Sequence, residues 1–192
     1  MPSAASVEVA LALIESTQIR PALVAVDGLG GAGKSSLAAA IAERRTDVNV
    51  IHGDDFYGPE ERDWLDWTPA QGYERYFDHQ RLEDELLGPV MRGATAHFQR
   101  YDWDRKTLGG WETVDSVGVI LLEGVYLLRP RLRPYWDASI FVDAPRSLRH
   151  RRLRARGEND AEWIARWMRA EDHYERVAQP RQAADLVIDG SS

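Results

Sequence analysis

Cysteine is absent from this chain of 192 residues, which excludes disulfides, thiolate metal sites and cysteine nucleophiles. Lysine occurs only twice, at Lys34 and Lys106. Long apolar runs are missing too, so no segment approaches the roughly 20 residues needed to span a bilayer. The apolar stretch near the start, Val7 to Ile14, is interrupted by Glu8, followed by Glu15 and preceded by no basic region, unlike an export signal. The cytoplasm is the expected compartment. Positive charge is outnumbered, with 24 Lys and Arg against 31 Asp and Glu and a formal net charge of −7. That balance argues against a general binder of nucleic acid or anionic membrane, whose surface is usually basic. What remains is an ordinary composition, 44% hydrophobic and 29% charged, in a length that fits a single domain over residues 1–192. Its oligomeric state is left open.

One of the two lysines closes Gly28-Leu-Gly-Gly-Ala-Gly33-Lys34-Ser35, a complete G-x-x-x-x-G-K-S motif. The run Ala22 to Val26 before it reads as a buried strand, and Leu37 to Ala42 after it as a helix of good helix formers. Strand, glycine-rich loop and helix together make a phosphate loop, because glycines let successive backbone N–H groups close around phosphate oxygens. The helix N-terminus adds its partial positive charge. The expected nucleotide-binding residues are Gly28, Gly30, Gly31, Ala32, Gly33, Lys34, Ser35 and Ser36. Resemblance to P-loop proteins implies that Lys34 reaches the β- and γ-phosphates and that the Ser35 hydroxyl ligates Mg²⁺.

Residues 5–18 read as an amphipathic helix, and Val48 to His52 as the second strand of a βαβ unit. Gly58 to Gly72, polar and aromatic, reads as a long loop, and 79–92 returns to helical periodicity through Leu82, Leu86, Leu87 and Val90. Alternating aromatics over 95–115, with Gly109-Gly110 as the turn signal, suggest a β-hairpin insertion. Gly118 to Leu122, Ala138 to Asp143 and Asp185 to Ile188 read as further buried strands. Five short apolar strands separated by helices predict an α/β architecture built on a five-stranded parallel sheet, a three-layer P-loop NTPase fold.

The acids and arginines narrow the chemistry. Asp54, just past the second strand, is placed to take a proton from a substrate hydroxyl that attacks phosphorus, with Asp55 the lesser candidate. Glu123 follows four apolar residues, where an acid can help hold Mg²⁺ beside Ser35. The segment from Arg146 to Arg156 concentrates six arginines. Arg149, Arg152 and Arg156 share one side of a helix and are expected to converge on phosphates from a lid region at about 146–160, the alternative being a solvated basic face that could pair with the acids of 158–175.

These pieces resemble the uridine kinase family of P-loop kinases, with nicotinamide riboside kinases and phosphoribulokinase as relatives. The phosphate loop, Asp54-Asp55-Phe56-Tyr57, Phe77-Asp78-His79, Tyr101-Asp102-Trp103, Leu122-Glu123-Gly124 and Phe141-Val142-Asp143 occur in that family's order. The resemblance implies transfer of the γ-phosphoryl group of ATP, with Mg²⁺, to a primary hydroxyl of a ribose-like substrate. It implies Asp54 as general base, Asp78 as a ligand of ribose hydroxyls, and Tyr101 and Trp103 around a nucleobase, with Asp54 and Tyr57 also among the expected substrate-binding residues. Lys106 stands where uridine kinases carry a base-reading histidine, and the chain after Arg156 lacks the longer arginine-bearing lid loop, with Arg166 and Arg169 as substitutes.

The expected activity is therefore that of a small-molecule kinase acting on a nucleoside, uridine or cytidine ahead of nicotinamide riboside, with pantothenate or a sugar as other hydroxyl acceptors. A regulatory module that binds or hydrolyses nucleotide is the alternative of another class. A GTPase is disfavoured because no Asn-Lys-x-Asp motif is present.

Overall fold

Strands that are apolar along their whole length must be covered on both faces, and the centre of the sheet is built from such strands. In the computed structural model, which describes residues 2–19, 21–58, 66–157 and 160–191, β1 (Ala22–Asp27) and β5 (Val119–Gly124) are buried at every position. They pair in parallel with β2 (Val48–His52), β6 (Ala138–Asp143) and β7 (Leu186–Asp189) in the order β2-β5-β1-β6-β7. The five-stranded parallel sheet expected from the sequence is present.

Alternate residues along each strand serve different cores. Val24, Val26, Leu121 and Ile140 face α1 (Ala4–Ser16) and α2 (Lys34–Arg44), packing with Ile14, Leu37 and Ile41. Leu23, Ala25, Ile120 and Leu122 face the second core with Phe56, Leu86, Tyr126 and Tyr174. Each fully buried Leu, Ile or Phe contributes about 1.5–3 kcal/mol, so the two faces together hold the central strands rigid. Helix α1 starts on a Ser3 cap, whose hydroxyl accepts from Ser6 N at 3.1 Å.

The second core is closed by α3 (Pro69–Arg75), by α7 (Ala161–Ala178) and by a helical stretch made of α4 (His79–Leu82), a wide π turn (Glu83–Leu87) and α5 (Gly88–Met91). The π turn lies just ahead of Pro89, whose ring would meet the carbonyl four residues back in a regular helix. The expected loop over 58–72 is shorter than the sequence suggested. Thr68 and Gln71 form a capping box and Pro69 opens α3, so helix occupies 69–72. Residues 59–65 of that segment, and 158–159 of the expected lid, lie outside the described residues.

The insertion is an antiparallel hairpin of β3 (Ala96–Asp102) and β4 (Thr107–Val114), docked by Phe98 stacking on Phe56 at 5.1 Å. Its turn is at 103–106, not at Gly109-Gly110. The Asp102 carboxylate accepts from the backbone of Asp104 and Arg105 at 3.1 and 2.9 Å, an Asx geometry that overrides the glycine signal. Gly109 and Gly110 instead supply the extra residue of a register shift opposite Gln99 and Tyr101. Helices α6 (Arg146–Arg156) and α8 (Pro180–Ala183) complete the chain around β6 and β7. Among the described residues no helix is long and apolar enough to cross a membrane.

Candidate functional site

Residues 28–33 connect the end of β1 to α2, and glycine is needed here for definite reasons. Gly33 caps α2 at φ 109° with no side-chain cap, which leaves the first-turn N–H groups to an external anion. Gly31 sits at φ 77° with its α-carbon so close to α6 that an added Cβ would lie 2.8 Å from the Arg149 carbonyl. Lys34, the first residue of α2, is buried, with Nζ 3.4 Å from the Leu29 carbonyl. Its charge acts on four carboxylates: Asp27, Asp54, Glu123 and Glu171.

Register brings the acids to the same sheet edge. Glu123 of β5 pairs with both Val26 of β1 and His52 of β2, and His52 Nδ1 lies 2.7 Å from its carboxylate. Burial pushes the Glu123 carboxyl up, but hydrogen bonds from His52 and Ser35 and the Lys34 charge outweigh it, and the group is held below the ordinary glutamate range. The hydrogen bond to Glu123 raises His52 in turn. Beyond β2 the chain makes a 3₁₀ turn, Gly53–Phe56. Asp54 lies in a crowded cleft yet reaches solvent. Crowding and the Glu123 charge push its carboxyl above the aspartate value, while Lys34 and solvent screening oppose them. Among the described residues no group of three or more His, Asp or Glu is arranged to hold a metal alone, so a cation beside Ser35 and Glu123 would also need phosphate oxygens.

The same segment carries the aromatic side of the site. Gly58 N donates to the Tyr76 carbonyl at 2.9 Å and Asp78 N to the Phe56 carbonyl at 2.8 Å, which joins residues 53–58 to 76–78. Tyr57 lies 5.0 Å from the Tyr101 ring and 4.6 Å from Trp103, which are themselves 4.9 Å apart. Burial pushes the Tyr57 hydroxyl up to about 12. Trp103 is half exposed at the hairpin turn, and Lys106 closes that turn at φ 54°. Asp78 caps α4 by accepting from Arg81 N at 2.9 Å, and its side chain remains partly exposed.

The three α6 arginines expected on phosphate separate. Arg152 Nη1 donates to the carbonyls of Gly31 and Gly190 at 3.1 and 2.8 Å. With Arg156 it lines a cavity of about 150 Å³ beside Gly31, Gly33, Ser36 and Gly190. Arg149 is buried behind the loop, with Nη1 2.9 Å from Glu171 and Nε 3.2 Å from the Ala144 carbonyl. Arg166 is buried and pairs with Glu162 at 3.0 Å.

No protein-family model matches the chain. Among curated proteins it is 29% identical over 189 residues to a uridine kinase of Aliivibrio salmonicida, covering 86% of this chain and 85% of that protein. Among solved structures, a possible uridine kinase from Bacillus stearothermophilus superposes with a TM-score of 0.76 at 23% identity, covering 96% of this chain and 98% of that one. The chain is a P-loop kinase related to uridine kinases. A kinase provisionally assigned to a fructose transport system in Silicibacter sp. TM1040 superposes with a TM-score of 0.67 at 26% identity, over 97% of this chain and 98% of that one.

Three groups of this P-loop kinase's site escaped the sequence reading. Asp27, fully buried, accepts from Gly28 N at 2.6 Å, from Leu128 N at 2.8 Å and from the Tyr174 hydroxyl. Burial pushes its carboxyl up against those bonds. Glu171, also fully buried, accepts from Gly30 N at 2.5 Å and from Trp167 Nε1 at 3.0 Å. His52 looked like an ordinary strand residue. Arg149 does pair with an acid of 158–175, Glu171, but the pair is buried and not part of a solvated basic face.

Proposed function

We propose that this P-loop kinase transfers the γ-phosphoryl group of ATP, with Mg²⁺, to a hydroxyl of a nucleoside-like small molecule. One arrangement carries the reading: Lys34, Ser35, Glu123 and Asp54 share one sheet edge, and the 53–58 segment links them to Asp78 and the aromatic trio.

The residues present suit a magnesium nucleotide. The uncapped start of α2 offers backbone donors to phosphate, and Ser35 and Glu123 supply the hard oxygen donors that Mg²⁺ takes. Bound MgATP supplies the transferable phosphoryl group and an electrophilic phosphorus. Lys34 holds the phosphate chain and stabilises charge on it. Asp54, its basicity raised by crowding and by Glu123, accepts the proton of the acceptor hydroxyl as that oxygen attacks. Asp78 orients the acceptor by accepting from its neighbouring hydroxyls, while Tyr57, Tyr101 and Trp103 offer flat faces to a base. Arg152 and Arg156 add charge beside Gly33 and Ser36, and closure over the phosphates would exclude water. Uridine and cytidine lead the acceptors because the curated relatives bear the uridine kinase name. A sugar acceptor follows from the fructose-system neighbour.

An ADP-release screen over uridine, cytidine, nicotinamide riboside, pantothenate and sugars tests the proposal. Stimulation by at least one acceptor is expected. ATP turnover indifferent to all of them would favour a regulatory ATPase.

A further inference from the structure

The phosphate loop is held from behind by a charge that opposes its ligand. Glu171 has no solvent exposure and Arg149 has 4%. One carboxylate oxygen of Glu171 accepts from the Gly30 N–H at 2.5 Å and from Trp167 Nε1 at 3.0 Å, and the other accepts from Arg149 Nη1 at 2.9 Å. All three groups are donors, so the ionised carboxylate is the form they satisfy. The fit is close: a Cβ on Gly30 would lie 2.9 Å from Glu171 Oε1, and one on Gly31 would lie 2.8 Å from the Arg149 carbonyl. A buried anion directly behind a loop built to receive polyphosphate repels that ligand through a low-dielectric interior. Arg149 offsets the repulsion, and its donors point at Glu171 and the Ala144 carbonyl, whereas Arg152 and Arg156 line the cavity beside Gly33 and Ser36.

We propose that Glu171 anchors the phosphate loop through the Gly30 N–H and that Arg149 is a positioning residue that cancels the Glu171 charge instead of touching phosphate. The inference rests on residues 28–35 being the phosphate site. Of the three arginines expected on phosphate, Arg149 then acts through Glu171, while Arg152 and Arg156 line the cavity beside Gly33 and Ser36.

Calorimetric affinities for MgADP and for inorganic tripolyphosphate, measured on wild type, Arg149→Met, Glu171→Gln and the double variant, test it, with thermal unfolding as a check of folding. Arg149→Met leaves Glu171 with only the Lys34 charge to offset it and should weaken both ligands about tenfold. The double variant removes both charges and should return to within about threefold of wild type. Glu171→Gln keeps an oxygen for the Gly30 N–H but takes from Arg149 its buried partner, with only the more distant Glu175 charge left, so tripolyphosphate should bind about threefold tighter or more. A double variant as weak as Arg149→Met would mean that Arg149 touches phosphate and would overturn the proposal. Unchanged or weaker tripolyphosphate binding by Glu171→Gln would overturn it as well, and this arm decides the matter if Arg149→Met does not fold. Wild type that binds neither ligand would instead remove the phosphate-site reading beneath it.

Discussion

Asp55 is tied to Arg100, whose Nε donates to its carboxylate at 3.0 Å, while its neighbour Asp54 faces Glu123 and Lys34. The acidic doublet is thereby divided into a member held by Arg100 and a member whose neighbours are Glu123 and Lys34, the one proposed as the base. Asp54→Asn should lower acceptor-stimulated ADP release by about 10²-fold or more, the usual contribution of a positioned base. Asp55→Asn should act mainly on stability and should match Arg100→Leu in its effect on Tm. Comparable losses of kcat from Asp54→Asn and Asp55→Asn would remove the distinction.

Trp103 is half exposed and contributes one face of the aromatic trio. Trp103→Ala should raise KM for a nucleoside acceptor about three- to tenfold, with kcat nearly unchanged and Tm within about 1–2 °C, because a stacking contact is worth about 0.5–1.5 kcal/mol beyond its area. Steady-state kinetics with varied acceptor at saturating ATP checks this. An unaltered KM would take the base away from the hairpin turn.

Glu123 is placed to share a cation with Ser35, and its low carboxyl pKa keeps it charged. Glu123→Gln should shift the magnesium concentration for half-maximal activity upward by about tenfold, since the ligand charge is lost while the shape is kept. A magnesium titration of ADP release reads the shift. An unmoved midpoint with reduced kcat would assign Glu123 to another task.

His79 is buried, and desolvation first, then the charges of Arg129 and Arg131, hold it well below the ordinary histidine value. In the unfolded chain histidine takes up its proton near about pH 6.5. Below that value, down to the folded pKa, the unfolded state binds more protons, so stability falls as pH drops. His79→Gln should therefore lose less Tm than wild type between about pH 7.5 and about pH 5. Equal losses in the two proteins would contradict the assignment.

The central sheet was legible because strands buried on both faces need uninterrupted apolar runs, and Ala22 to Val26 and Val119 to Leu122 carry them. The glycine-lysine motif was legible because its spacing encodes a backbone path. Where local signals competed, the stronger hydrogen-bonding one prevailed: Asp102 set the hairpin turn against Gly109-Gly110, and the Thr68 capping box began a helix inside an expected loop. The supports of the phosphate loop were least legible. Glu171 and Gly30 are 141 residues apart, and an acid in a charged helix reads as solvated until α7 packs beneath the loop. Asp27, next to the first glycine of the motif, likewise gains its meaning only from burial with Tyr174 and Leu128.

The most direct test of the kinase reading is the stoichiometry of product formation with uridine and MgATP. Phosphorylated uridine, identified by mass, and ADP should accumulate in equal amounts, and neither should accumulate with Lys34→Ala. ADP released without any phosphorylated acceptor, from uridine or from any other compound of the screen, would contradict it.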